Sequence, residues 1–265
     1  MVVCAPTASG KTVLLEIAIC RLFKTVSSRS TSRALYLAPL KALCAEKTAE
    51  WSMKFAPAGL TCIEATGEDE ADSSEMAVES LSKARIICAT PEKWVALSRK
   101  PGSNTELLRS IDLVLIDECH MVGTSRGAFL ELALLLVRWH NLQARLIAVS
   151  ATIGNLGDIS RWLSSYDTDS AQATPVPAKT VVFGDEYRSV PLSRVVIGYD
   201  CRQGYYKFQR YLDYRLPSII NTHCSGQSVI VFCSTRGSAQ DLCRFFIHNL
   251  RQISAPPTPI QLTSL

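Results

Sequence analysis

The sequence predicts an α/β fold, namely a parallel sheet with helices on both faces, followed by the start of a second unit of the same kind. Short apolar runs alternate with longer stretches whose apolar residues have the spacing of amphipathic helices. The runs are apolar at almost every position, which is typical of strands buried on both faces of a parallel sheet. The predicted strands of the first unit are MVVCAP, ALYLAP, LTCIEAT, RIICATP, IDLVLIDE and ARLIAVSAT.

Longer segments between these strands predict helices. They are KTVLLEIAICRLFK, LKALCAEKTAEWSMKF and GAFLELALLLVRW, and the acidic stretch GEDEADSSEMAVESLSKA predicts a loop and a helix. Composition changes near residues 165–180, where SSYDTDSAQATPVPAK is typical of a linker. We therefore predict a first domain over residues 1–178 and a partial second domain over residues 179–265.

The predicted second domain begins with the same alternation. We expect strands at VVIGY and SVIVFCST, and helices at YYKFQRYLDYRLPSII and SAQDLCRFFIHNL. The closing APPTPIQLTSL contains three prolines in eleven residues and predicts a frayed tail. Two strands are too few for an independent doubly wound domain, so we expect this domain to be incomplete.

Composition narrows the class of protein. The 265 residues are 47% hydrophobic and 20% charged, as in a soluble globular protein. No apolar run approaches the roughly 20 residues that span a membrane, so we expect no membrane partner. The net charge of +4 is compatible with a nucleic-acid partner but does not argue for one. None of the ten cysteines forms a CxxC pair; we expect buried thiols and a reducing compartment, cytosolic or nuclear.

The stretch APTASGKT at residues 5–12 has the form of a phosphate-binding loop, except that Ala5 replaces glycine. Backbone N–H groups of residues 8–12 can wrap phosphates at a helix N-terminus, Lys11 can reach the β- and γ-phosphates, and the Thr12 hydroxyl can bind Mg²⁺. A chance Gly-Lys-Thr in an ordinary strand–turn–helix is the alternative. The candidate nucleotide-binding residues are Ala5, Pro6, Thr7, Ala8, Ser9, Gly10, Lys11 and Thr12.

The second candidate motif is IDLVLIDECH at residues 111–120. Its apolar strand ends in Asp117 and Glu118, at the edge of a parallel sheet where ligands of such folds bind. Asp117 would hold Mg²⁺, and Glu118 could polarise the attacking water. By itself the pattern is equally consistent with an acidic helix cap. An upstream phosphate loop in the correct order favours the catalytic interpretation.

These motifs resemble those of superfamily 2 DExH-box helicases. APTASGKT, DECH and SAT (150–152) resemble motifs I, II and III, and APLKALCAEK (38–47), ATGE (65–68) and TPEKW (90–94) resemble motif Ia, the TG element and motif Ib. PLKAL, TPEKW and SRGAFLE are similar to the Ski-like subgroup, and the stretch from VVIGYDCRQG to VIVFCSTRGSAQ is most similar to its meiotic crossover DNA helicases. The resemblance covers about residues 2–250 and implies RecA-like domains.

The resemblance implies an ATP- and Mg²⁺-dependent motor that acts on DNA in the nucleus, with RNA as the alternative substrate. Arg126, Gly127 and Glu131 match a structural element of the subgroup, and Ser189 replaces the proline of its RPVPL element. The implied catalytic residues are Lys11, Asp117, Glu118, His120, Ser150 and Thr152, and the implied nucleic-acid contacts are Pro39, Lys41, Thr66, Gly67, Thr90, Pro91, Ser234 and Arg236.

Two further motifs of the family, V and VI, are not found in the sequence, and motif VI carries the arginine finger that stabilises the transferred phosphoryl group. The adenine-recognition segment before the phosphate loop is also not found. We therefore expect a fragment or a curtailed version of a longer helicase, with weak nucleotide binding and slow hydrolysis. A nucleic-acid-binding module without turnover is the alternative from another class.

Overall fold

A computed structural model of the chain describes residues 1–25, 31–65, 81–99, 105–151, 153–166, 175–200, 204–224 and 226–250. The chain divides into two units, Met1–Leu192 and Ser193–Leu265. The described residues that are predicted to bind nucleotide or nucleic acid lie in the first unit, except Ser234 and Arg236, which lie in the second.

A seven-stranded parallel sheet organises the first unit and confirms the predicted fold class. Its strands follow the order β3-β4-β2-β5-β6-β1-β9, and each neighbouring pair is parallel. Short strands β7 and β8 form a separate antiparallel pair. The bounds are β1 Val2–Cys4, β2 Arg33–Leu37, β3 Cys62–Ala65, β4 Ile86–Ala89, β5 Ile111–Ile116, β6 Arg145–Ser150, β7 Ser165–Tyr166, β8 Pro175–Val176 and β9 Thr180–Val182.

The helices of the first unit include the three that the sequence predicts between strands. Short 3₁₀ turns lie at Ala56–Ala58, Cys119–Gly123 and Asp185–Tyr187. In the described part of the chain, no helix has the length and apolar character needed to cross a membrane. The bounds are α1 Lys11–Thr25, α2 Lys41–Phe55, α3 Pro91–Ser98, α4 Thr105–Arg109, α5 Gly127–His140 and α6 Leu156–Trp162.

Two hydrophobic cores cover the two faces of the sheet. Helices α1 and α2 pack on one face around the fully buried Trp51, whose ring meets Tyr36 edge-on at 5.1 Å between centroids. Helices α3, α4 and α5 pack on the other face around Trp94. Successive strand residues point to opposite faces, so a sheet covered on both sides requires runs that are apolar at every position. The nearly continuous apolar runs of the sequence reflect this requirement.

Strand β9 lies beyond the domain boundary predicted at residue 178. Val2–Cys4 pairs in register with Thr180–Val182, which makes β9 the edge strand of the first sheet. The first unit therefore continues to Leu192. The three-residue run TVV is too short to be recognised as a strand from the sequence. The part of the predicted second domain that follows Leu192 stays a prediction.

The cysteines match the expectation of buried thiols only in part, because Cys62, Cys224, Cys233 and Cys243 are only half-buried. All nine described cysteines are free, and Cys4, Cys44, Cys88 and Cys119 are buried. Cys20 is exposed, which corrects the expectation for that residue. It lies on the outer side of α1, one turn after the exposed Ile17, because only one side of that helix faces the sheet.

Two helices form the described core of the second unit, α7 at Tyr205–His223 and α8 at Arg236–Leu250. The Tyr214 ring meets Phe245 edge-on at 5.0 Å, which joins the two helices. The strands predicted at VVIGY and SVIVFCST are wrong: the described residues of this unit contain no strand. An apolar run becomes a strand only where another strand accepts its backbone hydrogen bonds, and these runs have no such neighbour here.

Candidate functional site

The first half of the candidate site is assembled by the register of three parallel strands. Cys4 of β1 is level with Ser150 of β6, and Ile116 of β5 is level with Ala148. The loops that follow these strands therefore leave the sheet at the same edge. The Ala5 amide donates to the Ser150 carbonyl at 3.0 Å, which fixes the start of the loop at residues 5–12 beside β6.

The loop at residues 5–12 gathers its hydrogen-bond donors at one point. The Lys11 ammonium donates to the carbonyls of Ala5 and Pro6, each at 2.9 Å. The Ser9 hydroxyl also donates to the Pro6 carbonyl, at 2.7 Å, and the Ser9 amide donates to it at 3.4 Å. An anionic oxygen is a stronger acceptor than a carbonyl, so the loop is suited to exchange these contacts for a phosphate.

The backbone of the same loop adopts the conformation that this exchange requires. Gly10 has φ 86° and Ala8 has φ 63°, both in the left-handed region. Such residues turn successive N–H groups toward a common concave side, the arrangement that binds anions. Thr12 is the second residue of α1, so its hydroxyl lies at the helix N-terminus, where the helix dipole favours negative charge.

Asp117 is held by two hydrogen bonds at the end of β5. The Tyr36 hydroxyl donates to Oδ2 at 2.8 Å, and the Glu118 amide donates to Oδ1 at 2.9 Å. Burial, together with the neighbouring Asp117, raises the pKa of Tyr36 well above its usual range, so the hydroxyl keeps its proton. Tyr36 is not among the residues that the motifs predict. Its signal is a single hydroxyl within the buried run Ala34–Leu37, whose other residues are apolar, and a buried polar group needs a partner.

Glu118 has a strained backbone and a side chain with an unused acceptor. Its φ and ψ are 50° and 48°, in the left-handed region that residues other than glycine rarely adopt. Its buried Oε2 lies 3.2 Å from His120 Nδ1 without the geometry of a hydrogen bond. Strain and an unpaired buried acceptor often occur at functional sites. Such an oxygen can accept a proton from a bound water molecule.

His120 joins the end of β5 to the end of β6. Its Nδ1 lies 3.0 Å from Oγ of Ser150, which is fully buried. The DECH and SAT motifs are thus in direct contact through these two side chains. Thr152, the remaining member of the predicted set, lies outside the described residues.

The second half of the same sheet edge carries the residues predicted to contact nucleic acid. Leu37, Ala89 and Ala65, the last residues of β2, β4 and β3, are level with one another. The carboxyl ends of these strands therefore lie at one edge of the sheet, where the segments that begin with Ala38 and Thr90 leave it. Thr66 and Gly67 lie outside the described residues. Of the rest, Lys41 is exposed at the start of α2, just after Pro39 and Leu40, and Pro91 begins α3.

Thr90 caps helix α3. Its hydroxyl accepts a long hydrogen bond of 3.4 Å from the Lys93 amide, and only 5% of the residue is exposed. Pro at the first helical position has no amide to leave unpaired. The capped turn presents its N-terminal end at the edge of the sheet. Contact with a phosphate at this point stays a prediction.

Ser234 and Arg236 lie in the second unit, where both are exposed and Arg236 begins α8. The intervening Thr235 caps this helix, since its hydroxyl accepts from the Ser238 amide at 3.0 Å. Their predicted contact with nucleic acid stays a prediction.

Two contacts near the site could not be read from the sequence. Arg126 Nε lies 2.5 Å from Oε1 of Glu92, which joins the segment after DECH to helix α3. The Ser189 hydroxyl donates to the Ala8 carbonyl at 3.3 Å, so the segment after β9 reaches the phosphate loop. Both pairs join residues far apart in the sequence, and a residue pattern carries no signal for such pairs.

Comparison with known proteins gives a family and several relatives. A family model described as DEAD/DEAH box helicase matches residues 1–159. The probable ATP-dependent DNA helicase HFM1 of Xenopus tropicalis is 38% identical over 90% of this chain and 18% of its own length. The ATP-dependent DNA helicase MER3 of Saccharomyces cerevisiae is 34% identical over 94% and 20%. The chain thus spans about a fifth of the length of these relatives.

More distant relatives and solved structures extend the comparison. The DExH-box ATP-dependent RNA helicase DExH13 of Arabidopsis thaliana is 31% identical over 89% of this chain and 10% of its own length. The DEAD-box helicase Mss116 bound to single-stranded RNA has a TM-score of 0.64 at 16% identity, over 95% of this chain and 50% of its own. The helicase MrfA bound to DNA and AMPPNP has a TM-score of 0.64 at 18% identity, over 95% and 34%. The two structures share the RecA-like fold with this chain.

Proposed function

The chain belongs to the DEAD/DEAH box helicase family, and from this we propose that it carries the ATP-binding part of a DNA helicase that acts in meiotic recombination and crossover formation. One observation supports the ATP-binding role above all others. Lys11, the Asp117–Glu118 pair and the His120–Ser150 contact lie along one edge of a parallel sheet, at or just after the ends of three adjacent strands. A position in the nucleus accords with this role.

The residues present fit a magnesium–nucleotide complex. Each oxygen of Asp117 accepts one hydrogen bond and keeps a further lone pair for a hard cation. The Thr12 hydroxyl, at the helix N-terminus, would serve as a second oxygen ligand of Mg²⁺. Bound Mg²⁺ would neutralise phosphate charge. Lys11 would bind the terminal phosphates once it leaves the Ala5 and Pro6 carbonyls, and Glu118 Oε2 would orient the attacking water.

The edge formed by β2, β3 and β4 is proposed to bind the backbone of a single strand. Phosphate contacts from helix N-termini and hydroxyls do not depend on base sequence, which suits a protein that moves along its substrate. The names of the relatives HFM1 and MER3 favour DNA. RNA is the second candidate, because the RNA helicase DExH13 is also similar to the chain.

Binding measurements would test the proposal and separate the two substrates. The anisotropy of fluorescein-labelled oligo(dT) and oligo(U) of equal length should be titrated with the chain in the presence of Mg²⁺ and AMP-PNP. We expect both to bind, with DNA about three-fold or more tighter, and both affinities to fall with salt. Tighter binding of RNA would favour the second candidate. Absence of binding to either strand would contradict a nucleic-acid role.

The 265-residue chain alone is proposed to hydrolyse ATP slowly, because the arginines of motif VI are not among its residues. A single-turnover ATPase measurement on the chain and on a relative that contains motifs V and VI would compare the two. Comparable rates would contradict this point without affecting the assignment of the nucleotide site.

A further inference from the structure

Glu92 is the second residue of α3 and lies two positions after the cap residue Thr90. Its carboxylate has two unlike oxygens. Oε1 receives the 2.5 Å contact from Arg126 Nε, whereas Oε2 is buried without a hydrogen-bond partner. In a surface ion pair that only joins two helices, the second carboxylate oxygen would remain in contact with water. It would then carry no desolvation penalty. The second oxygen of Glu92 is instead shielded from water, at the edge that carries the predicted nucleic-acid contacts and beside Thr90.

The Glu92 carboxylate is charged and lies beside the Thr90 hydroxyl. Burial raises the pKa of Glu92, but Arg126, the Glu92 peptide N–H and the Thr90 hydroxyl lower it by more, so the net pKa lies below its usual value. The Thr90 hydroxyl accepts only a long 3.4 Å bond from Lys93. The helix therefore orients the Thr90 hydroxyl only weakly. The adjacent Glu92 carboxylate orients this hydroxyl more strongly.

Arg126 is connected to the DECH segment by a series of short turns. The Met121 amide donates to the Glu118 carbonyl at 3.0 Å, and the Thr124 amide and hydroxyl both donate to the Met121 carbonyl, at 2.9 and 2.7 Å. The Arg126 amide then donates to the Thr124 hydroxyl at 3.3 Å. These links leave little freedom between Glu118 and Arg126.

Close packing removes the remaining freedom. A Cβ atom on Gly127 would lie 2.0 Å from the Val122 carbonyl oxygen, so the first turn of α5 rests directly on the 3₁₀ turn that follows Glu118. A displacement of Glu118 is consequently passed to Arg126. Through the 2.5 Å ion pair it then reaches Glu92.

We propose that Glu92 is a positioning residue, held by Arg126, that orients the Thr90 hydroxyl toward a phosphate of the bound single strand and so links the DECH turn to the nucleic-acid edge. The inference rests on the proposed function, and it concerns how that function couples its two ligands. If nucleotide and single-stranded DNA both act on this connection, each changes the affinity of the chain for the other by the same factor.

The sign of one measurement separates positioning from simple electrostatics. Glu92→Gln removes a negative charge beside the expected phosphate. By charge alone this substitution should strengthen binding of single-stranded DNA. If Glu92 positions the Thr90 hydroxyl, the same substitution weakens binding, by about five-fold.

The experiment uses the full chain with Glu92→Gln, Arg126→Gln and the double variant. The matched control is Glu50→Gln, which removes a carboxylate 2.7 Å from Lys47 on α2, the helix on the opposite face of the sheet. Affinity for fluorescein-labelled oligo(dT) is measured by anisotropy with and without AMP-PNP. The dissociation constant of a fluorescent ADP analogue and the thermal midpoint are measured in parallel.

We expect both single variants to weaken binding of oligo(dT), and the double variant to be no weaker than either, because all three break one connection. The factor by which AMP-PNP changes the affinity for DNA should approach one in these variants. Their affinity for the ADP analogue should stay within about two-fold of the wild-type value. Unchanged or tighter DNA binding by Glu92→Gln would overturn the inference. So would equal losses of DNA and nucleotide binding, which indicate a general structural effect.

Failure of the proposed function itself has a different signature. It would appear as a wild-type chain that binds neither oligo(dT) nor oligo(U), and the inference would fall with it. A wild-type chain that binds DNA while Glu92→Gln behaves like Glu50→Gln would overturn the inference alone.

Discussion

The Tyr36 hydroxyl on β2 donates a 2.8 Å hydrogen bond to Oδ2 of Asp117, the first residue after β5. The Asp117 carboxylate is thereby fixed at the sheet edge by a donor from the neighbouring strand. The tyrosine ring belongs to the core beneath, where it contacts Trp51. A buried aromatic residue thus connects hydrophobic packing on one face of the sheet with the predicted magnesium ligand at its edge.

Tyr36→Phe keeps the ring and removes this donor. We expect the free energy of unfolding to fall by about 1–2 kcal/mol, because a hydrogen bond to a charged partner is lost inside the protein. The Mg²⁺ concentration needed for nucleotide binding should also change, since the carboxylate is free to rotate. Urea denaturation and Mg²⁺ titrations would measure the two effects. An unchanged variant in both assays would show that Tyr36 has no part in holding Asp117.

Lys11→Ala should lower the affinity for nucleotide by about ten-fold or more, because a charge-assisted contact to phosphate is lost. The matched control is Lys24→Ala, in the last turn of the same helix α1. Titration with a fluorescent ADP analogue would compare the two. Equal affinities for Lys11→Ala and Lys24→Ala would contradict the assignment of the phosphate loop.

Gly127→Ala should be severely destabilising, by about 3 kcal/mol or more, because its Cβ would lie 2.0 Å from the Val122 carbonyl oxygen and backbone atoms must move. Gly123→Ala provides the control within the same segment, since a Cβ there has no atom within 4 Å. Thermal and urea unfolding of both variants would show the difference. Similar stabilities would mean that α5 does not rest on the 3₁₀ turn.

Ser150→Ala should weaken communication between the two ligands while leaving nucleotide affinity nearly unchanged. The substitution removes the hydroxyl 3.0 Å from His120 Nδ1, the contact that joins the ends of β5 and β6. Ser160→Ala is the control, because Ser160 is also a buried serine whose hydroxyl makes one hydrogen bond, of 2.7 Å to Ala178. The factor by which AMP-PNP changes DNA affinity is the measurement. An equal factor in the two variants would contradict a role for Ser150 in coupling.

Much of the fold could be predicted from the sequence because local pattern determines it. The continuous apolar runs predicted a parallel sheet, and all six strands predicted for the first unit are present. The motifs then had to lie at one edge, since the carboxyl ends of parallel strands share it. The order of strands was not predictable, because pairing depends on long-range packing that leaves no local pattern.

The parts that were missed depend on partners distant in the sequence. Strand β9 exists because β1 offers an unpaired edge, and the expected strands of the second unit are absent from its described residues because no neighbour offers one. The Glu92–Arg126 and Ser189–Ala8 contacts could not be predicted either, because each joins residues that are distant in the sequence. The left-handed backbone of Glu118 has no sequence signal either, since glutamate does not favour that conformation.

The pairing of Val2 with both Ala148 and Thr180 has a consequence for how the site comes into being. The strand that precedes the phosphate loop lies between β6 and β9, and both of these follow it late in the sequence. Contacts of such long sequence separation form late in folding. The loop acquires its structure only when the sheet is complete, so capture of a nucleotide reports that the whole first unit has folded.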